Sequence, residues 1–164
     1  AVASALKNFP IMNSRLETDR ILLLSDRNIG IAVETDEGLV VAVLKNMDKK
    51  GVIQANREFL DIVERVRKGD RRQEDITGST FTLSNLGHIG IDSFVPVINP
   101  PETGIVGIGK IQNVPVAADD NTVEVRPIME VTLSFDHQVV DGTPAGRFLY
   151  AVKERLENPV KMLS

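Results

Sequence analysis

Residues 131–142 have the sequence Val131-Thr-Leu-Ser-Phe-Asp-His-Gln-Val-Val-Asp-Gly142, and this stretch decides the predicted fold and site. Its first five residues alternate large apolar with small polar side chains, a pattern typical of a strand with one buried face. If that strand continues to position 137, the imidazole of His137 points the same way as Leu133 and Phe135. Since histidine is the natural proton carrier near pH 7, we interpret His137 as a candidate general base.

His137 has two other interpretations, which the residues alone leave open. Many buried histidines only bond a backbone carbonyl. A metal site is also conceivable, because His88 and Asp92 repeat the four-residue spacing of His137 and Asp141, although nothing supplies the surrounding partners that a metal needs. A strand end would fix the ring, and Gly142 would let the chain turn tightly away beside it. These surroundings favour the general base.

Asp141 also has a simple and a functional interpretation. An aspartate before a helix often complements the helix dipole. Alternatively, Asp141 holds the histidine loop through an ion pair with an arginine.

The composition limits the classes of function. Of the 164 residues, 42% are hydrophobic and 26% are charged, as in ordinary soluble domains. The net charge of −4 predicts no nucleic-acid partner. The absence of cysteine excludes a disulfide framework, a thiolate metal site and a cysteine nucleophile, and it agrees with a reducing cytoplasm. No apolar run reaches the length of a membrane span and no signal peptide is predicted, so we expect no membrane partner.

The remaining pattern predicts an α+β fold in one domain, residues 1–164, with a mixed or antiparallel sheet covered by helices on one side. The predicted helices are residues 1–9, Val52 to Lys68 with its apolar stripe starting at Val52, and a last helix with Thr143 at its N-cap. The predicted strands are Ile21 to Leu24, a hairpin over residues 28–44 with its turn at 35–38, residues 80–84, 94–98 and 104–111, and residues 123–135 after a turn at 119–121. Glycines in residues 104–111 predict a close approach of backbones.

Five ordered segments resemble one protein family. Residues 134–142 are similar to the signature of the dihydrolipoyl acyltransferase component of 2-oxo acid dehydrogenase complexes, which is related to chloramphenicol acetyltransferase. The other segments resemble the family's serine-bearing strand and loop, its proline loop, its central hairpin and its C-terminal tail: Gly78-Ser-Thr-Phe-Thr-Leu-Ser-Asn-Leu-Gly87, Val97-Ile-Asn-Pro-Pro-Glu102, Gly30-Ile-Ala-Val33 with Gly38-Leu-Val-Val41, and Glu157-Asn-Pro-Val-Lys-Met-Leu163. The resemblance covers the whole chain.

The resemblance implies a chloramphenicol-acetyltransferase-like fold, a mixed β-sheet covered by helices that forms trimers. It implies that His137 takes the proton of a thiol, from CoA or dihydrolipoamide, which then attacks a thioester. Ser84 would stabilise the tetrahedral oxyanion, Asp141 would be the third catalytic residue, and Asn85 and Gly142 would be structural residues of the site. A thiol of pKa near 8.5 is only partly ionised at neutral pH, so a nearby imidazole helps form the thiolate. Taken alone, Ser84 would be a strand-end serine bonding its local backbone.

The chain departs from the family pattern in several places. Gln138 stands where arginine is usual, Ala42 stands where proline is usual, and the loop at His88 has fewer glycines. The family's catalytic domain is longer at its N-terminus by several tens of residues. Full-length members also carry lipoyl and peripheral-subunit-binding domains that are absent here. We therefore expect an N-terminally truncated catalytic domain, which could be inactive alone, and the residue that pairs with Asp141 is not identified.

The resemblance also implies partners. Coenzyme A would be a substrate, and the lipoyl group would be carried on a domain absent from this chain. Homotrimers, with the histidine of one copy facing the serine of the next, would assemble into a cage through the C-terminal residues Met162 and Leu163. A 2-oxo acid decarboxylase and a dihydrolipoyl dehydrogenase would bind through absent domains. The expected location is the prokaryotic cytoplasm or the mitochondrial matrix, with the cytoplasm favoured.

Two alternatives to this function remain open at the level of sequence. One is a catalytically impaired scaffold that builds cages, which the shortened N-terminus and Gln138 favour. The other is a free-standing acetyltransferase of the chloramphenicol type, whose acceptor is a hydroxyl group. The acyl group (acetyl, succinyl or branched-chain) and the size and symmetry of the cage are not determined by the sequence.

Overall fold

The computed structural model describes residues 1–36, 38–118 and 122–162. Within them the helices are α1 (Val2–Leu6), α2 (Val52–Arg67) and α3 (Gly142–Glu157). The strands are β1 (Ser14–Leu16), β2 (Ile21–Leu23), β3 (Ile29–Thr35), β4 (Gly38–Leu44), β5 (Phe81–Asn85), β6 (Gly104–Ile108), β7 (Gln112–Ala117), β8 (Val123–Ile128) and β9 (Val131–Phe135). No helix in these ranges is both long enough and apolar enough to cross a membrane.

The centre of the fold is a five-stranded sheet in the order β4-β3-β5-β6-β9. The three central strands run parallel, and the edge strands β4 and β9 each pair antiparallel with their neighbour. Two ribbons, β1-β2 and β7-β8, stand apart from this sheet. The predicted α+β class with a mixed sheet is confirmed.

All three helices cover the same face of the sheet. Ile29 of β3 and Phe81 of β5 are register partners and pack with α1 and α3 in one apolar cluster. Val33 follows Ile29 by four residues, so it shares that face, and it packs with α2 in a second cluster. The ring of Phe148 in α3 meets that of Phe81 edge to face, with centroids 5.4 Å apart. Such a pair contributes about 0.5–1.5 kcal/mol beyond its burial. The prediction of helices on one side is confirmed.

The opposite face of the sheet is covered by the segment that precedes β6, and glycines allow this cover to lie close. A side chain at Gly107 would meet the Thr132 hydroxyl and the Phe94 ring. A side chain at Gly109 would collide with the backbone carbonyl of Asp92. The predicted close approach of backbones is therefore confirmed.

Residues 94–98 are not the strand that their apolar character predicts. Pro96 has no N–H to donate to a sheet ladder. The segment is held by side chains instead, because the hydroxyls of Thr132 and Ser134 donate to the carbonyls of Phe94 and Pro96 at 2.7 and 2.6 Å. It lies across the sheet without joining it.

The single strand predicted over residues 123–135 is also wrong. It divides into β8 and β9, separated by Met129 and Glu130. β8 pairs with β7 in the ribbon, whereas β9 pairs with β6 in the main sheet. The chain changes partner between them, and the carbonyl of Glu130 accepts the N–H of Gly109 at 2.9 Å.

Two predictions at helix starts need correction. Val52, predicted on the buried stripe of α2, is 67% exposed, because only the later part of the helix meets β3 and β4. Thr143 is not the N-cap of α3. Asp141 takes that position, and its carbonyl accepts the first helical hydrogen bond, from Ala145 at 3.2 Å.

Other predicted elements agree or lie outside the described ranges. The helix predicted at residues 1–9 is α1, and the predicted hairpin is β3-β4. β1 was not predicted. The strand predicted over residues 104–111 is β6, which ends at Ile108, and β7 was not predicted. Of the two predicted turns, residue 37 of the first and residues 119–121 of the second lie outside the described residues.

The close approach at Gly109 leads to a stability prediction. Gly109→Ala should lower the free energy of unfolding by about 1–3 kcal/mol, since backbone must move to admit the methyl group. Gly51→Ala is the control, because nothing lies within 4 Å of a Cβ there. Because Gly51 is the N-cap of α2, where alanine is disfavoured, this control should cost less than about 1 kcal/mol. Urea unfolding of both variants checks this, and equal stabilities would contradict the packing described.

Candidate functional site

His137 lies in a turn just after β9. The strand ends at Phe135, so its predicted continuation through His137 is wrong. The cause is Asp136, whose carboxylate accepts the N–H of Gln138 at 2.9 Å. The carbonyl of Asp136 accepts the N–H of Val140 at 3.0 Å. An aspartate that bonds its own following backbone in this way turns the chain.

The His137 turn is anchored at both ends. The N–H of Asp136 donates to the carbonyl of Thr103 at 2.9 Å, which extends the pairing of β9 with β6. At the other end Val140 is buried in the cluster under α3. The side chain of His137 itself is 71% exposed in the single chain. Its interpretation as a core histidine satisfied by a carbonyl is therefore wrong.

Asp141 and Gly142 follow this turn. The Asp141 carboxylate makes no capping hydrogen bond to α3, and one of its oxygens lies 3.8 Å from Nδ1 of His137. The predicted tight turn at Gly142 has no steric basis in the single chain, because a Cβ there would meet open space and its φ is not in the left-handed region.

Ser84 lies on the face of the sheet that the helices leave free. It is half-buried on β5, beside Gly107 of β6. Thr132 and Ser134 on the same face have their hydroxyls bonded to carbonyls. By contrast, the Ser84 hydroxyl forms no hydrogen bond within the described residues. The interpretation of Ser84 as a serine that bonds its local backbone is wrong, and its hydroxyl remains available as a donor.

Asn85 shapes the loop that follows Ser84. Its side-chain oxygen accepts the N–H of Gly87 at 2.9 Å. The loop returns with Gly90 at φ 92°, a left-handed conformation suited to glycine. The side chain of Asn85 thus stabilises the end of the strand that carries Ser84.

Ser84 and His137 lie at opposite edges of the sheet, where an edge is the border formed by the ends of the strands. Ser84 pairs with Gly107 and Gly107 with Thr132, while β9 runs antiparallel from Thr132 towards His137. Strand spacing and rise place Asp136, the residue before the histidine, roughly 17 Å from Ser84. The two candidate catalytic groups of one chain therefore cannot act on one substrate atom.

The four residues considered for a metal site are not brought together. His88 follows β5 at the Ser84 edge of the sheet, whereas His137 lies at the other edge. Asp92 forms an ion pair with Lys110 at 2.7 Å. No group of three or more His, Cys, Asp or Glu side chains placed to hold a metal occurs among residues 1–36, 38–118 and 122–162.

Glu102 was missed by the sequence interpretation and is 6% exposed. Its carboxylate accepts hydrogen bonds from the hydroxyls of Ser79 and Thr82 and from the amide of Asn99. Burial raises the pKa of Glu102, and the three hydrogen bonds oppose that rise. The only feature of the sequence that could have pointed to Glu102 is the position of its carboxylate between the loop prolines and an apolar strand.

The C-terminal tail is described in part. Pro159–Met162 form a 3-10 helix in which Val160 is exposed. Leu163, the second of the two predicted assembly residues, lies outside the described residues.

The whole sequence, residues 1–164, matches the family described as 2-oxoacid dehydrogenases acyltransferase (catalytic domain). The chain belongs to this family. The family predicted from the five segments is therefore confirmed.

Relatives of this chain include components of two bacterial enzyme complexes. It is 37% identical over 163 residues to the dihydrolipoyllysine-residue succinyltransferase component of the 2-oxoglutarate dehydrogenase complex of Bacillus subtilis (strain 168), covering 99% of this chain and 39% of the relative. It is 42% identical over 153 residues to the dihydrolipoyllysine-residue acetyltransferase component of the pyruvate dehydrogenase complex of Haemophilus influenzae, covering 91% and 26%. The chain thus spans about two fifths or less of the length of these relatives.

Solved structures agree with this family fold. The dihydrolipoamide acetyltransferase of Azotobacter vinelandii, studied for the role of a serine, a histidine and an asparagine in its catalytic mechanism, matches with TM-score 0.94 and 34% identity over 99% of this chain and 67% of that one. The cubic core of a pyruvate dehydrogenase multienzyme complex matches with TM-score 0.93 and 32% identity, covering 99% and 69%. Chloramphenicol acetyltransferase, at 15% identity and TM-score 0.55 over 93% and 72%, shows the shared fold alone. The predicted chloramphenicol-acetyltransferase-like fold is confirmed.

The raised pKa of Glu102 predicts a pH dependence of stability. A raised pKa means that the folded state holds the proton more tightly than the unfolded chain does. This contribution is complete below the ordinary pKa of glutamate and is lost as pH rises through the raised pKa. The free energy of unfolding of the unmodified chain, relative to Glu102→Gln, should thus fall over the pH range above the ordinary pKa of glutamate, about 4.3. Urea unfolding across this range checks it, and parallel curves would contradict it.

Proposed function

We propose that this chain transfers an acyl group between dihydrolipoamide and coenzyme A. Its family membership and its relatives, which are succinyl- and acetyltransferase components of 2-oxo acid dehydrogenase complexes, support this reaction. Because the relatives divide between two acyl groups, the proposal covers acyl transfer to a thiol without choosing the acyl chain. Coenzyme A and the lipoyl group are substrates here, and the lipoyl group is carried on a domain outside this sequence.

In the proposed mechanism His137 is the general base. Its ring accepts the proton of the attacking thiol as the sulfur forms a bond to the thioester carbonyl carbon. The resulting oxyanion accepts a hydrogen bond from the Ser84 hydroxyl. The tetrahedral intermediate then collapses, the original carbon–sulfur bond breaks, and the departing thiolate takes the proton back from the imidazolium. Atoms and charges balance, and no further reactant is needed.

The observation that carries the proposal is the placement of Ser84 and His137 at opposite edges of one sheet. A site that needs both groups has to form where the histidine edge of one copy meets the serine edge of another. The exposed ring of His137 and the unpaired hydroxyl of Ser84 support such a meeting. We therefore propose a closed homotrimer with one site at each contact between copies.

Known structures support these roles and the assembly. In the Azotobacter vinelandii structure the histidine and asparagine studied are four residues apart, the spacing of His137 and Asp141 here, and the studied serine precedes the histidine as Ser84 does. Asp141 is accordingly proposed as the third residue of the site, with Asn85 and Gly142 as structural residues. The match to the cubic core of a multienzyme complex supports assembly of this chain into a cage, and we assign Met162 and Leu163 to that assembly. A decarboxylase and a dihydrolipoyl dehydrogenase would bind through domains outside this sequence.

The alternatives make different predictions. A scaffold without turnover would assemble but transfer no acyl group. An acetyltransferase of the chloramphenicol type would acylate a hydroxyl rather than a thiol, and the likeness to that enzyme concerns the fold alone.

Single substitutions test the mechanism in an assay of transfer from acetyl-CoA and succinyl-CoA to free dihydrolipoamide. His137→Ala should lower kcat by about 100- to 10,000-fold because proton removal from the thiol is lost. Ser84→Ala should lower it by about 100- to 1,000-fold because the oxyanion loses a donor.

The other histidine offers a matched control. His88→Ala should keep kcat within about threefold, since the proposed mechanism assigns His88 no role. No transfer by the unmodified protein with either donor would favour the scaffold, and unchanged rates in His137→Ala would refute the proposed base.

A further inference from the structure

Glu102 is a buried carboxyl group that no step of the proposed mechanism uses. Within the described residues its hydrogen-bond partners are neutral: the hydroxyl of Ser79, the hydroxyl of Thr82 at 2.6 Å and the amide of Asn99 at 3.1 Å. A carboxyl group buried without a cation contributes little net stability. Its position in the fold offers another role.

A short series of contacts leads from Glu102 to the histidine turn. Thr103 follows Glu102 and is held in place by its hydroxyl, which donates to the carbonyl of Ser14 at 2.7 Å. The carbonyl of Thr103 accepts the N–H of Asp136 at 2.9 Å. Asp136 in turn closes the turn that presents His137. A shift of the backbone at Glu102 would therefore move the acceptor that fixes this turn.

The same carboxyl group contacts the strand that carries the serine. Thr82 precedes Ser84 by two residues on β5, so both side chains lie on the same face. Glu102 thus holds the start of β6 against β5, next to the point where Thr103 receives the histidine turn. One end of this link lies on the strand that carries Ser84, and the other lies next to Thr103, whose carbonyl accepts the N–H of Asp136 in the His137 turn.

We propose that Glu102 is a positioning residue for the general base, acting through Thr103 and Asp136 on the orientation of His137. The inference rests on the proposed function, because the orientation of His137 matters only if the imidazole takes a proton from the thiol. Since a displacement of about 1 Å can lower a rate by about 100-fold, loss of the carboxyl group should reduce kcat much more than substrate binding.

Three substitutions separate positioning from stability alone. Glu102→Ala removes all three hydrogen bonds, whereas Glu102→Gln keeps a side chain of the same length that can bond the same partners. Asp75→Ala is the matched control, because Asp75 is also a buried carboxylate, but it pairs with Arg65 of α2 at 2.6 Å and has no contact with Thr103 or Asp136 among the hydrogen bonds and ion pairs described.

The measurements are kcat and KM for the acyl-CoA donor in the same assay, and hydrogen exchange at the amide of Asp136, all well below the unfolding temperature. We expect Glu102→Ala to lower kcat by about 10- to 100-fold with KM within about twofold, and to speed exchange at Asp136 by about tenfold. Glu102→Gln should restore kcat to within about threefold and return the exchange to its original rate. Asp75→Ala should lower the unfolding temperature without changing either quantity.

The outcomes distinguish this inference from the proposed function. A folded Glu102→Ala variant with unchanged kcat and unchanged exchange at Asp136 would overturn the inference and leave the proposed function standing. If the unmodified protein transfers no acyl group, the proposed function fails, and the inferred role of Glu102 fails with it. Should Glu102→Ala not fold, Glu102→Asp keeps the carboxyl group but shortens the side chain, and it is expected to show the same loss of kcat. Full activity in Glu102→Asp would overturn the inference.

Discussion

The antiparallel pairing of β9 with β6 determines where the two proposed catalytic groups of this chain lie. Because β9 runs against the three parallel strands, its C-terminal end and the His137 turn lie at the edge where β5 begins, and Ser84 lies near the edge where β5 ends. No rotation of a side chain can span that separation. The proposed base and the proposed oxyanion donor can therefore meet only across a contact between copies, so the proposed active site depends on the proposed assembly.

Hydrogen bonds and packing hold the chain in place at both of these edges. The His137 turn is fixed by the backbone bonds of Asp136, by Thr103 on one side and by the buried Val140 on the other. On the serine side, glycines at the end of β6 let the neighbouring segment lie directly against the sheet. Contact with a second copy would cover the exposed ring of His137 and exclude water. Electrostatic stabilisation by a hydroxyl donor is stronger in such a dry site.

Much of the fold could be predicted because its signals are local. Period-two alternation located β3 and β4, and a 3.6-residue stripe located α2. The failures involve partners distant in sequence: residues 94–98 lie across the sheet because of Thr132 and Ser134, 38 residues further on. For the site, the motif pointed to His137 and the family resemblance pointed to Ser84, but a local sequence pattern contains no information on the order of the strands. Their placement at opposite edges and the buried contacts of Glu102 therefore emerge only from the structure.

Complementation between two inactive variants tests the shared site most directly. Ser84→Ala and His137→Ala chains, co-expressed in equal amounts and assembled at random, should regain about a quarter of the activity of the unmodified protein, because a quarter of the contacts combine an intact histidine with an intact serine. Each variant alone should stay near its own low rate. Mixed assemblies no more active than the separate variants would contradict a site built by two copies.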